Sequence, residues 1–394
     1  MDNKQIDTYL NQYRDELLDD TMPFWLDHCV DNEKGGFIFC LDRKGEIIDT
    51  DKSVWIHGRF VWLLATLCAT VEQKSQWLDL AAHGLDFIDK YCIDPEDGRA
   101  YFIVTKDGKP LIKRRYLYSE FFITVAYAAY ARATADKKMA QKALDMFKLI
   151  FRYLDGDLLP PKVIPSTRKM RTLGMPMMAI CTGQELRHVS DDPIIDLKIN
   201  QGIEEIEKYF VNDKYKCVLE NVGLDGEFVD HFDGRIITPG HGIECGWFIL
   251  HEAMMRDNDQ RLIELGAKIV DYCWNIGWDT EYGGIIYFRD AKGLPCTEYW
   301  QDMKFWWQQN EAIIATLLAY HLTGDKKYAD WHKMAHDWAY KYMPDPEYGE
   351  WFGYLHRDGR ISTTLKGNMW KGPFHLPRML WYCWKLLEDM KQKK

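Results

Sequence analysis

None of the ten cysteines stands in a C-x-x-C pair, and several fall inside helical patterns. They read as reduced thiols packed in the core of a cytosolic protein. No apolar run approaches the roughly 20 residues of a membrane span. The opening M-D-N-K-Q-I-D-T-Y-L lacks the basic head and apolar core of a signal peptide. A cytoplasmic location with no membrane partner is the expectation. Excess positive charge is also missing. Sixty acidic against 50 basic residues leave a net charge of −10, which argues against nucleic acid as a partner. H-E-x-x-H, G-x-S-x-G and the P-loop are all absent. The G-x-G around His241 lacks the full dinucleotide fingerprint. His332 and His336 are spaced i, i+4, but on an amphipathic outer segment, where a solvated face is expected rather than a metal site. No metal ligand set and no catalytic cofactor are expected.

What is present is a large apolar and aromatic complement. The chain has 394 residues, 47% hydrophobic, with 16 tryptophans and 22 tyrosines, enough for a sizeable core. Such aromatics build a core, or stack on the apolar faces of sugars. The chain also repeats. Segments beginning at Asp31, Asp94, Asp213, Asp279 and Asp345 share an acidic residue, glycines, aromatics and a closing turn glycine. Such alternation reads as a short hairpin. The Asp213 copy is weaker, and a degenerate one fits at Asp155-Gly156-Asp157 before a proline-containing loop.

Between these hairpins the periodicity predicts helices at 3–28, 52–72, 75–93, 116–134, 137–154, 171–190, 194–211, 240–257, 259–276, 304–323, 326–342 and 374–392. Two kinds alternate. Residues 259–276 and 326–342 are amphipathic, as outer helices are. Residues 120–133 and 311–323 are apolar nearly all round, as inner helices are. Six hairpin-linked pairs predict an all-α protein, an (α/α)6 barrel with short β-hairpins at the active-site face, as a single domain over 1–394. Only the tail Lys391–Lys394 reads as frayed.

Every hairpin precedes an inner helix, so the residues at those helix starts face one funnel. They are Trp55, His57 and Arg59; Tyr116, Tyr118 and Glu120; Met175 and Met177; His241 and Glu244; Lys304, Trp306, Trp307 and Glu311; and Trp370, Phe374, His375 and Arg378. Two starts stand out. Thr238-Pro239-Gly240-His241 and Lys371-Gly372-Pro373-Phe374-His375 each deliver a histidine from a Gly/Pro turn to a helix N-terminus. The positive helix end favours an anion and keeps a histidine neutral. Two histidines on one substrate suit removal and return of a proton on opposite faces of one carbon. The enediolate so formed needs cationic support, for which Arg59 and Arg378 are candidates.

The segments P-G-H-G-I-E-C-G-W, K-F-W-W-Q-Q-N-E-A, W-K-G-P-F-H-L-P-R and V-W-I-H-G-R-F-V-W resemble the N-acylglucosamine 2-epimerase family, also called the renin-binding protein family. The resemblance runs from about residue 20 to 388. It implies an (α/α)6 barrel that interconverts N-acetyl-D-glucosamine and N-acetyl-D-mannosamine by proton exchange at C2 of the open-chain sugar. His241 and His375 would be the acid/base pair, and Arg59 would polarise the carbonyl. Glu244 and Glu311 would position histidines or hydroxyls. Trp306, Trp307, Trp370 and Phe374, with Arg378, Glu120 and Tyr118, would shape the sugar pocket. The resemblance also implies a homodimer and ATP as an activator that is not consumed.

Cellobiose 2-epimerases and aldose–ketose isomerases share the barrel and the histidine pair. They commonly carry a further histidine on the third inner helix, where this chain reads Thr172-Leu173-Gly174-Met175-Pro176-Met177-Met178. An inverting glycoside hydrolase on the same barrel would draw a carboxylate pair from Glu120, Glu244 and Glu311, and would leave both histidines idle. A non-catalytic binder would need neither of them.

Overall fold

An inner helix of this chain is apolar on every side, so it can exist only if other helices surround it. A computed structural model of the protein, describing residues 1–392, shows how that is done. The outer helices are α1 (Asn3–Glu16), α3 (Ser75–Phe87), α5 (Lys137–Asp155), α7 (Ile194–Glu205), α9 (Gln260–Gly277) and α11 (Lys326–Tyr342). The inner ones are α2 (Val54–Thr70), α4 (Tyr118–Thr134), α6 (Gly174–Leu186), α8 (Pro239–Met255), α10 (Trp306–Thr323) and α12 (His375–Gln392). On α10 every residue from Trp306 to Ala319 is buried. On α5 burial follows a stripe through Ala143, Phe147, Ile150 and Phe151, with charge on the other side. Each inner helix touches the next, and α12 touches α2, so the ring closes into an (α/α)6 barrel. Buried apolar residues from Ile6 to Met390 form one contiguous cluster.

The expected 3–28 helix is continuous, but α1 reaches Met22–His28 through a widened π turn at Leu17–Thr21. Similar π turns extend α3 at Ile88–Cys92 and α7 at Ile206–Phe210. The expected helix at 171–190 begins later, because Met170–Thr172 is a strand. Likewise Lys304–Phe305 is a strand leading into α10. Lys391 pairs with Asp7 at 2.6 Å, so the expected fraying does not reach it. The rest of that tail, Lys393 and Lys394, lies outside the described residues.

His332 and His336 are not on a solvated face. Both are buried on the apolar stripe of α11, and the Tyr13 hydroxyl lies 3.1 Å from one and 2.9 Å from the other. Burial holds both imidazoles well below their ordinary pKa, at about 4 and about 3. They join α1 to α11.

The hairpins do more than turn the chain. Each pairs with the segment that enters the inner helix of the preceding unit. Ile103–Val104 pairs with Lys52–Ser53, Asn221–Gly223 with Met170–Thr172, Arg289–Asp290 with Ile236–Ile237, and Tyr354–Leu355 with Lys304–Phe305. A bridge between Leu41 and Gly367 joins the first unit to the last. The degenerate copy at Asp155 forms no hairpin, and its loop holds one short helical turn at Pro165–Arg168. Four hairpins are clasped by a lysine. Lys52, Lys113, Lys304 and Lys366 reach back to Asp31, Asp94, Asp279 and Asp345. The same aspartates cap their own turns by accepting backbone N–H groups. In the weak copy the capping residue is Asn212, which accepts from the Tyr215 N–H, so that copy begins one residue earlier than its sequence implies.

Candidate active site

Because all six inner helices start at the hairpin face, their first turns surround one cavity of about 730 Å³. Aromatic rings form its wall, including Trp55, Phe122, Trp247, Tyr287, Trp306, Trp307, Trp370 and Phe374. His241, Glu244, His375, Arg378, Arg59 and Tyr118 also line it. The cavity continues down the barrel to Glu185, His251, Arg132 and His188 at the far ends of the helices.

His241 sits in the first turn of α8, after Pro239 has set the helical φ. The glycines on either side allow close packing. A Cβ at Gly240 would lie 2.8 Å from Trp307, and one at Gly242 would lie 2.2 Å from Cys273 Sγ. Nδ1 of His241 is 3.0 Å from Glu220 Oε1. Burial would lower its pKa, but the carboxylates of Glu220, Glu244 and Glu311 outweigh burial and raise it above the ordinary value.

His375 opens α12, with Nδ1 2.7 Å from Glu311 Oε1. Burial, together with Arg378 and Arg59, holds this imidazole well below its ordinary pKa. The two histidines are therefore of opposite character. Trp307 lies between them, 5.0 Å from the His241 ring and 5.8 Å from the His375 ring.

Glu311 is fully buried and has several partners. It accepts from Arg378 at 2.6 Å through Oε1 and from Trp247 Nε1 at 2.7 Å through Oε2. Arg378 also donates to Glu244 at 2.5 Å. Glu244 thus holds an arginine and not a histidine. Glu244, Glu311 and His375 are close enough to share a cation, and the Arg378 guanidinium already bonds both carboxylates.

Arg59 is different. Its guanidinium lies over the rings of Phe122 and Phe374, 4.0 and 4.7 Å from their centroids, and makes no ion pair among the described residues. Burial pushes its pKa down to about 9, against the pull of Glu244 and Glu311. Its Nε, the Arg378 Nε and the indole N–H groups of Trp55 and Trp306 are buried without a hydrogen-bond partner. All four residues line the cavity, which places hydrogen-bonding capacity not spent within the protein close to an oxygen-rich ligand.

Of the expected funnel residues, Glu311 stands behind His375, and five others do not line the cavity, one of them Tyr116, whose ring packs on Trp55 and Tyr118. Glu120 is two residues from Tyr118, on another face of α4, where Arg99 Nε donates to it at 2.9 Å. His57 accepts from the Phe37 N–H at 2.9 Å and is sealed in the core. Lys304 is a hairpin clasp. Met175 lines a separate surface hollow beside α7. Conversely, Glu220 and Tyr287 come from hairpins, which the helix-based reading passed over.

Comparison with known proteins gives this geometry a family. Residues 36–375 match the family described as N-acylglucosamine 2-epimerase (GlcNAc 2-epimerase). The chain belongs to the N-acylglucosamine 2-epimerase family. It is 35% identical to the N-acylglucosamine 2-epimerase of Bos taurus over 379 residues, covering 95% of this chain and 90% of that one. The cellobiose 2-epimerase of Eubacterium cellulosolvens is 25% identical, covering 95% and 97%. The solved cellobiose 2-epimerase of Bacillus thermoamylovorans B4167 superposes with a TM-score of 0.84 at 22% identity, covering 97% and 100%. This family member is thus an enzyme of the isomerase class. Among the described residues, no helix is long and apolar enough to cross a membrane.

Proposed function

We propose that the protein interconverts N-acetyl-D-glucosamine and N-acetyl-D-mannosamine by moving a proton between the two faces of C2. The observation that carries this reading is the pair of histidines beside Trp307, each with Nδ1 on a carboxylate, in a cavity that also holds an unpaired arginine. With Nδ1–H donated to Glu311, Nε2 of His375 is free to act as a base. His375 takes the C2 proton of one epimer, and the C–H electrons move into the C1 carbonyl to give an enolate that keeps the acetamido nitrogen on C2. Arg59, which lacks a carboxylate partner, offers its N–H groups to that oxyanion. The protonated His241 returns a proton to the opposite face. The reverse reaction uses the same pair with the proton on His375. Both directions therefore need a singly protonated pair and share one pH window.

Trp306, Trp307, Trp370, Phe374 and Tyr118 act here as the wall against which the sugar packs, and Arg378 holds Glu244 and Glu311 in place. The match to relatives named N-acylglucosamine 2-epimerase favours the N-acetylated pair over cellobiose. The further family traits of a homodimer and activation by ATP belong to this reading.

The test is proton NMR with N-acetyl-D-glucosamine in D₂O, with and without ATP. The expected result is N-acetyl-D-mannosamine with deuterium at C2. No exchange with either N-acetylated sugar, alongside exchange with cellobiose or mannose, would overturn the substrate assignment. Size-exclusion chromatography tests the dimer.

A further inference from the structure

The five hairpins of the rim share one backbone register. In each, the N–H seven residues after the capping position bonds the carbonyl two residues before it: Ile38 to Cys29, Tyr101 to Cys92, Leu219 to Phe210, Ile286 to Gly277 and Phe352 to Met343. The residue after that sits on the rim beside the start of the preceding inner helix. There the Phe102 carbonyl accepts from the Val54 N–H, the Gly353 carbonyl from the Trp306 N–H, and the Glu220 carbonyl from the Leu173 N–H. Four hairpins put Phe39, Phe102, Tyr287 or Gly353 at this position. The hairpin capped by Asn212 puts Glu220 there, and it alone presents a carboxylate.

We propose that Glu220 is a positioning residue for the reaction proposed above, dedicated to His241. Its backbone is fixed on both sides. Cys217–Val218 pairs with Val211–Asn212, and Asn221–Gly223 pairs with Met170–Thr172. Its Oε1 lies 3.0 Å from Nδ1 of His241, and it forms no other ion pair among the described residues. Glu311, on the other histidine, divides its charge among His375, Arg378 and Trp247. The undivided charge of Glu220 holds the Nδ1–H tautomer of His241, turns Nε2 to the cavity and stabilises the imidazolium. The two sides of C2 are therefore served by unlike pairs, one strongly and one weakly charge-compensated.

The experiment compares the wild type with Glu220→Gln, which removes the charge and keeps a polar side chain. Circular dichroism checks the fold. The expected result is a fall in kcat of about 10- to 100-fold, with the alkaline limb of the pH profile moved to lower pH. A second readout separates positioning from general loosening. If the His241 side alone becomes slow, the C2-deuterium isotope effect rises for the epimer that gives its proton to His241 and falls for the other. Isotope effects that stay unchanged, or that rise together with an unmoved pH profile, would overturn the proposal. Should Glu220→Gln fail to fold, Glu220→Asp keeps the charge at a longer reach. It is expected to keep the alkaline limb and lower kcat, and an unchanged kcat would overturn the proposal. Wild-type protein inactive on both N-acetylated sugars would count against the function itself, whereas an active wild type with an indifferent Glu220→Gln counts against this inference alone.

Discussion

The rim and the cavity use the same materials and finish them differently. On the rim, the Lys304 ammonium is buried against Asp279 and also donates to backbone carbonyls, and Arg357 bonds the same carboxylate through two nitrogens. Lys366 and Arg43 treat Asp345 alike. In these two clasps each charge meets its complement, and each arginine comes from the following unit, so the clasps stitch the ring. In the cavity, Arg378 is matched by Glu244 and Glu311, yet Arg59 has no carboxylate and several donors have no acceptor. A buried charge that is fully answered holds a fold together. One left unanswered is held in place for a ligand.

Variants can sharpen that contrast. His375→Asn is expected to have the largest effect, a loss of kcat of about 10²- to 10⁴-fold with sugar binding retained in calorimetry. Retained turnover would remove the two-base mechanism. Lys304→Met removes one of the two cations on Asp279 and leaves buried carbonyl acceptors unpaired, and is expected to lower stability by about 1–3 kcal/mol in urea unfolding, with kcat unchanged. Arg59→Met is expected to behave oppositely, with kcat down about 10²-fold and stability equal or higher, because an unpaired buried cation is removed. A drop in stability with intact activity would reverse the assignment of the two regions.

Two smaller effects depend on pH. Activity should persist well below pH 6.5, because His375 resists protonation, and should fall on the alkaline side as His241 loses its proton above its ordinary pKa. For stability, the Asp279 carboxyl is held well below the usual carboxylate range: burial alone would raise it, but bonds from Arg357 and Lys304 prevail. A folded pKa below the unfolded one contributes stability above about pH 4 that is lost as pH falls through the folded value. Asp279→Asn should therefore flatten the acid side of the stability curve measured by denaturant titration, and an unaltered curve would show that the clasp contributes nothing.

Much of this was legible in the chain because it is written in local rules. The Gly/Pro turns before His241 and His375 mark helix starts, and the alternation of all-apolar with striped helices marks inner and outer positions. Errors came where phase or partners decide. Glu120 stands at a helix start, but two residues turn it roughly 200° away from Tyr118. His332 and His336 lie on the stripe with Tyr328, Ala335 and Ala339, and the hydroxyl of Tyr13, more than 300 residues away in sequence, together with the Ile313 carbonyl for His332, makes burial possible. Glu220 was hidden because the Asn212 hairpin has drifted from its siblings by one position. Its significance emerges once the five hairpins are aligned by their hydrogen bonds.

The length of the central cavity has a hydraulic consequence. His241 and His251 are ten residues apart on one helix, about 15 Å of travel, and the lining continues to Arg132 and His188, which are exposed at the far ends of the helices. A blind pit must push its water back past whatever enters. A cavity whose lining continues below the site to Arg132 and His188 gives that water room to move down the barrel as a sugar arrives at the hairpin rim.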